Sequence, residues 1–117
     1  MARLSTHVLD LTRGLPAAGM RVELFRISGA QRDLVSSTVT NSDGRGAKPL
    51  IEADRLPGGQ FELVFHVAAY FREMGTALAD PPFLDEVPIR FHLDPAGGSY
   101  HVPLLVAPYG YSTYRGS

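Results

Sequence analysis

The sequence has 117 residues, no cysteine, and 11 basic against 12 acidic residues. This length predicts a single domain, residues 1–117, with its own hydrophobic core, and the lack of cysteine excludes a disulfide framework or a zinc–thiolate site. Because the charges nearly balance, the composition does not favour binding to nucleic acid or to an anionic membrane. No apolar run approaches the roughly 20 residues that span a bilayer. Residues 1–7 lack the apolar core of a secretory signal, so we expect a cytoplasmic protein.

Short segments of alternating hydrophobicity, separated by turn residues, predict an all-β sandwich or barrel. In chain order, we predict strands at residues 4–9, 20–27, 34–39, 61–67, 89–93 and 101–106, and a last strand within 109–117. In the second strand the apolar parity changes after Leu24, which predicts a β-bulge.

One segment departs from this period of two and predicts a single short helix. Its apolar residues recur with the spacing of a helix face, at Val67, Tyr70, Phe71 and Met74. Gly75 follows at the position where a glycine ends a helix.

Alternation also assigns two histidines to the outer face of a sheet. Residues 4, 6 and 8 form the inner face of the first strand, so His7 lies on the opposite face. Residues 102, 104 and 106 form the inner face of the penultimate strand, which directs His101 outward. If these two strands and the predicted last strand share one sheet, its outer surface carries His7, His101 and Tyr114 among apolar side chains. Such a surface suits a subunit interface that contains a pocket.

Other polar residues have ordinary interpretations on sequence context alone. A lone histidine on a strand is usually a surface residue or a half-buried one with satisfied hydrogen bonds, and we interpret His66 and His92 in this way. Arg45, within the turn of residues 41–46, would be a solvated loop arginine. Pro103 inside a strand indicates an edge, a bulge or a special contact.

Three motifs resemble those of the 5-hydroxyisourate hydrolases, a family related to transthyretin. They are LSTHVLD at residues 4–10, TNSDGR at residues 40–45, and HVPLL followed by PYGYSTYRGS within residues 101–117. Residues 61–65 and 83–89 also match the family's intervening strands. The resemblance implies a transthyretin-like (prealbumin-like) sandwich of two four-stranded sheets with one short helix.

The family reaction opens a cyclic amide of 5-hydroxyisourate during urate degradation and gives 2-oxo-4-hydroxy-4-carboxy-5-ureidoimidazoline. The resemblance carries the family's active-site positions onto His7, Arg45, His101, Tyr114 and Ser117. It implies that one histidine takes a proton from water while the other orients it or protonates the leaving nitrogen. Arg45 would grip the substrate and offset oxyanion charge, Tyr114 would hold the ring, and Ser117 would help to position water. The scheme needs no metal or organic cofactor.

The resemblance further implies a homotetramer with active sites at the dimer–dimer interface. One departure from the family is visible, because Ser99 stands where the family often has a second histidine. Two rival functions remain: a non-catalytic, transthyretin-like carrier of a small aromatic ligand, and a structural or adhesion sandwich. Hormone-carrying transthyretins lack the His/Arg/His set and the Tyr-Arg-Gly-Ser ending, so these residues favour the hydrolase.

Overall fold

The computed structural model of the chain describes residues 1–116, which form two β-sheets packed on a common core. The elements in chain order are β1 (Ala2–Asp10), β2 (Leu15–Pro16), β3 (Arg21–Ser28), β4 (Gln31–Val39), β5 (Ile51–Ala53), β6 (Gly59–His66), α1 (Val67–Glu73), β7 (Glu86–Leu93), a 3-10 turn (Pro95–Gly97), β8 (Tyr100–Ala107) and β9 (Gly110–Thr113). The predicted all-β sandwich with one short helix is confirmed.

The two sheets differ in how their strands pair. One is an antiparallel sheet in the order β4-β3-β6-β7, and the other runs β2-β1-β8-β9, with β5 also paired to β1. In the second sheet β1 and β8 are parallel. Strand β8 occupies one edge of β1. The other edge is therefore shared by β5, which pairs with residues 2–4, and β2, which pairs with residues 9–10. This sheet therefore has five strands but is four strands wide, a detail that the expectation of two four-stranded sheets missed.

The predicted inner faces supply the core. From the sheet that contains β1 and β8, fully or nearly fully buried side chains include Leu4, Val8, Val102, Leu104 and Val106. Burial of each such side chain stabilises the fold by about 1.5–3 kcal/mol. The predicted bulge is confirmed, because the pairing of β3 with β4 shifts between Leu24 and Phe25.

Helix α1 starts directly after β6 and packs its apolar face into the common core. It buries Val67, Tyr70 and Phe71, and the Tyr70 hydroxyl donates a 2.8 Å hydrogen bond to the buried Asp10 carboxylate. Gly75, at a φ of 73°, follows the helix as predicted. Met74 was predicted to join the apolar face, and this is wrong: the side chain is exposed.

Pro103 lies in a central strand, which eliminates the sheet-edge interpretation. The ladder between β8 and β9 ends at the pair Leu104–Thr113 and is resumed only by an isolated bridge between His101 and Gly116. The Pro103 carbonyl accepts a 2.8 Å hydrogen bond from the Thr113 hydroxyl in this gap. Because proline has no N–H to give to the ladder, the gap falls where Pro103 cannot pair. The last residues therefore leave the strand before they return to His101.

Candidate active site

The two histidines lie on the outer face of the same sheet. In the parallel pairing of β1 with β8, Ser5 is opposite His101 and His7 is opposite Pro103. Ser5, His7 and His101 are half-buried, whereas the inner-face residues 4, 6, 8 and 102 beside them are buried. The predicted parity of both histidines is confirmed, and so is their common sheet.

A tight turn docks against the free stretch of the β1 edge, between β5 and β2. Within this turn the Asn41 side-chain oxygen accepts hydrogen bonds from the backbone N–H groups of Asp43 (2.9 Å) and Arg45 (3.2 Å). The Gly44 carbonyl accepts a 2.8 Å bond from the N–H of Val8. Gly44 has a φ of 77°, and a Cβ added there would overlap the Val8 carbonyl oxygen. Only glycine therefore permits this approach.

The docked turn brings Arg45 to the two histidines. Arg45 forms a β-bridge with His7 and lines a cavity of about 360 Å³ together with Arg3, Ser5 and His101. Within residues 1–116 no ion pair or side-chain hydrogen bond occupies its guanidinium. The interpretation as an ordinary loop arginine is therefore incomplete, because the turn fixes Arg45 at the site.

His7 has a defined proton arrangement. Its Nε2 lies 2.8 Å from the carbonyl oxygen of Asp43. A carbonyl can only accept a hydrogen bond, so Nε2 must carry the proton. In the neutral ring Nδ1 of His7 then holds the lone pair, and in the charged ring Nδ1 becomes a second donor.

His101 is favoured in its neutral form. Burial, reinforced by the positive charges of Arg45 and His7, lowers the pKa of His101 below its ordinary value. Its Nδ1 lies 2.9 Å from the Ser5 hydroxyl oxygen. A neutral imidazole near pH 7 retains a lone pair that can accept a proton.

The C-terminal residues hold one side of the His101 ring. The Gly116 N–H donates a 2.7 Å hydrogen bond to the His101 carbonyl, and a Cβ added at Gly116 would lie 2.6 Å from Cδ2 of the ring. The Arg115 guanidinium stacks on the Tyr100 ring at 3.9 Å and donates a 3.1 Å hydrogen bond to the Gly97 carbonyl. Arg115 thus fastens residues 114–116, the tail that follows β9, and Gly116 leaves room for the imidazole.

Sequence reasoning assigned no separate role to Ser5, Arg115 or Gly116. The Arg-Gly pair stood within the motif at the end of the chain, which was a usable signal. No comparable signal existed for Ser5, because alternation gives the face of a strand but not its register against another strand.

Neither His7 nor Tyr114 lines this cavity in the described part of the chain, although His7 is bridged to Arg45, which does. Tyr114 is largely exposed and lines a different, apolar cavity of about 300 Å³, with Ile89, Phe91 and Val102 among its neighbours. Ser117 lies outside the described residues. The roles of Tyr114 and Ser117 remain predictions.

The remaining histidines and Ser99 have structural explanations. Nε2 of His66 lies 2.6 Å from the Glu23 carboxylate, and this hydrogen bond lowers the pKa of Glu23. His92 is exposed. Both ordinary interpretations are confirmed. The Ser99 hydroxyl accepts a 3.0 Å hydrogen bond from the Arg3 backbone N–H, so it ties the beginning of β8 to β1.

Residues 1–116 contain neither a cluster of metal ligands nor a helix that could span a membrane. In this range no three His, Cys, Asp or Glu side chains are grouped as ligands of one metal ion. The helices of the same range include none with the length and hydropathy of a bilayer-spanning segment.

Comparison with known proteins identifies relatives that align along almost the whole chain. The 5-hydroxyisourate hydrolase of Deinococcus radiodurans is 57% identical over 114 residues, which are 97% of this chain and 95% of that protein. The structure of Klebsiella pneumoniae 5-hydroxyisourate hydrolase matches with a TM-score of 0.81 and 36% identity over 100% of both chains. The structure of (S)-allantoin synthase matches with a TM-score of 0.92 and 44% identity, over 99% of this chain but 44% of that longer one. Residues 4–116 match the HIUase/Transthyretin family, and the chain belongs to that family.

Proposed function

We propose that the protein hydrolyses 5-hydroxyisourate to 2-oxo-4-hydroxy-4-carboxy-5-ureidoimidazoline in urate degradation. The observation that carries the proposal is the meeting of three elements distant in sequence, which supply His7, Arg45 and His101 to one surface. The relatives named as 5-hydroxyisourate hydrolases support it at up to 57% identity. An imidazole pair beside an arginine with free donors suits water attack on a polar carbonyl.

In the proposed mechanism His101 is the general base, because its pKa is lowered and its ring stays neutral near pH 7. As the water oxygen bonds to the carbonyl carbon, Nε2 of His101 takes the water proton. Charge develops on the carbonyl oxygen, where the Arg45 guanidinium donates hydrogen bonds. The ring C–N bond then breaks.

The leaving nitrogen needs a proton, and we assign His7 as its donor, an assignment that the bridge between His7 and Arg45 supports. Nε2 of His7 remains bonded to the Asp43 carbonyl in both charge states, so the proton is released from Nδ1 of the imidazolium. Positioned acid and base groups of this kind each contribute about 10²–10⁴-fold to the rate. Tyr114 would hold the substrate ring, and Ser117 would help to position the attacking water.

We further propose a cytoplasmic homotetramer with active sites at the dimer–dimer interface. The outer face around the histidines also carries the half-buried Leu9 and Leu105, which lie opposite each other in the pairing of β1 with β8. An apolar face around a polar cavity favours coverage by a second copy, and closed symmetric assemblies are the rule for homo-oligomers. Coverage would also exclude bulk water from the reaction.

The test is turnover of freshly prepared 5-hydroxyisourate, followed by the decay of its ultraviolet absorbance. We expect the wild-type chain to accelerate the decay catalytically and a variant lacking residues 114–117 to lose this activity. A carrier would shift the spectrum of the bound compound without accelerating its loss. Wild-type protein that gives only such a shift, at stoichiometric concentration, would refute the hydrolase.

A further inference from the structure

We propose that Ser5 is a positioning residue for this reaction. Its hydroxyl oxygen accepts a hydrogen bond from Nδ1–H of His101, and this selects the tautomer in which Nε2 holds the lone pair. The inference rests on the proposed function, since it concerns the general base of that reaction.

The register of β1 against β8 brings Ser5 and His101 together. Ser5 and His101 are direct partners in the parallel pairing of β1 with β8, and both side chains emerge on the outer face. Their hydroxyl oxygen and Nδ1 are 2.9 Å apart. Both residues sit in hydrogen-bonded strands whose inner neighbours are buried, so the separation of the two side chains is fixed by the core rather than by a loop.

The ring is held on a second side as well. Gly116 packs so closely on Cδ2 that it leaves no space for a methyl group. Within residues 1–116 Nε2 of His101 has no hydrogen-bond partner, whereas Nδ1 has Ser5. Ser5 and Gly116 therefore direct Nε2 away from the strands.

A serine hydroxyl can donate or accept, so the distance alone allows two tautomers. If Ser5 donated its proton to Nδ1, a neutral His101 would carry its own proton on Nε2 and could not act as a base there. If Ser5 accepts, Nε2 is free to take the proton of water. The developing imidazolium then strengthens the same hydrogen bond, because charge-assisted bonds are stronger than neutral ones.

The accepting arrangement leaves the Ser5 hydroxyl proton available to the cavity. Within residues 1–116 Ser5 has no second side-chain hydrogen bond, and it lines the cavity beside Arg45. The proton can be donated to a carbonyl oxygen of the bound substrate. His7 is arranged differently, because its carbonyl partner requires a proton on Nε2. In this arrangement His7 reacts through Nδ1 and His101 reacts through Nε2.

The test measures the tautomers directly in the resting protein. In ¹⁵N-histidine-labelled protein at a pH where both rings are neutral, the ring nitrogen chemical shifts separate protonated from unprotonated positions. We expect His101 to carry its proton on Nδ1 and His7 to carry its proton on Nε2. Ser5→Val and Ser5→Ala should give His101 a mixture of tautomers, whereas Ser5→Thr, which has the shape of the valine variant but keeps a hydroxyl, should retain the Nδ1 proton.

Turnover provides the second readout. Loss of a hydrogen bond to a charged group typically lowers a rate constant about 10- to 100-fold. We therefore expect Ser5→Val to lower kcat by that factor and Ser5→Thr to restore most of it. Ser37→Ala, on an exposed strand of the other sheet, is the matched control and should keep wild-type values. The His7 shifts should be the same in all variants.

The possible failures are distinguishable. An active wild type with the His101 proton on Nε2 would overturn the role of Ser5 and leave the hydrolase standing. The same conclusion would follow if Ser5→Val and Ser5→Thr showed identical tautomers and identical kcat. A wild type without turnover would overturn the proposed function and, with it, the catalytic meaning of the Ser5 contact.

Discussion

Substituting alanine for Gly116 tests how closely the tail and His101, the proposed general base, depend on each other. The added Cβ would lie 2.6 Å from Cδ2 of His101, and 3.2 and 3.3 Å from its Cγ and Cβ. An ordinary carbon–carbon contact is about 3.5 Å or more, so the ring or the tail must move by roughly 0.9 Å. Moving the ring strains the 2.9 Å contact with Ser5, and moving the tail strains the 2.7 Å bond from the Gly116 N–H.

Movement of the ring displaces the proposed base by nearly 1 Å, a change that can cost about 10²-fold in rate, and movement of the tail removes the support on one side of the ring. We therefore expect Gly116→Ala to lower kcat/KM about 100-fold in the ultraviolet assay. The free energy of unfolding should change little, because the tail contacts the sheet at an isolated bridge. We expect it to fall by about 1 kcal/mol, which would lower the Tm by roughly 4 °C.

Gly110→Ala is the matched control for this prediction. Gly110 begins β9, its φ is not positive, and a Cβ added there meets nothing within 4 Å. It should retain wild-type kcat/KM and Tm. The reasoning is refuted if Gly116→Ala also keeps wild-type kcat/KM, or if both alanine variants lose activity equally.

Three further predictions follow from the same geometry. Activity should fall as the pH drops through the lowered pKa of His101. Because Arg45 helps to lower that pKa, Arg45→Gln should move the acidic limb of the kcat/KM profile to higher pH, and an unmoved limb would contradict this prediction. Leu105→Glu should dissociate the proposed tetramer and abolish turnover together, as measured by light scattering and the ultraviolet assay, whereas a fully active monomer would refute the proposed interface. His7→Asn and His101→Asn should each cost about 10²–10⁴-fold without a large change in Tm, and His92→Asn, at an exposed position, should cost nothing.

The strands and the outward histidines could be predicted because they depend on local alternation. A period of two requires only that one face be buried, and His7 and His101 follow from the apolar neighbours on either side of them. The helix was predicted for the same local reason. Its one wrong member, Met74, lies at the end of α1, where the helix no longer faces the core.

The contacts between distant segments could not be predicted in this way. Ser5 and His101 are 96 residues apart, and only the parallel register of β1 with β8 makes them partners. Sequence alternation is satisfied equally by a shift of two residues, which would put a different residue beside the imidazole. The short strands β2 and β5 escaped notice because two or three residues cannot show a period.

The two histidines are held more firmly than the tail. His7 and His101 stand on strands whose opposite faces form the core, so their backbones move only when the core opens. The tail lacks such support and is held by the Gly116 backbone bond, by the stacking of Arg115 on Tyr100, and by hydrogen bonds from Arg115 to the Gly97 and Ser99 carbonyls. Its local opening therefore has a much smaller free energy than global unfolding. In hydrogen exchange the Gly116 amide should exchange far faster than the Val8 amide, which is bonded to Gly44 beneath the site. Equal protection of the two amides would show that the tail is part of the cooperative core, and the small stability cost expected for Gly116→Ala would then be wrong.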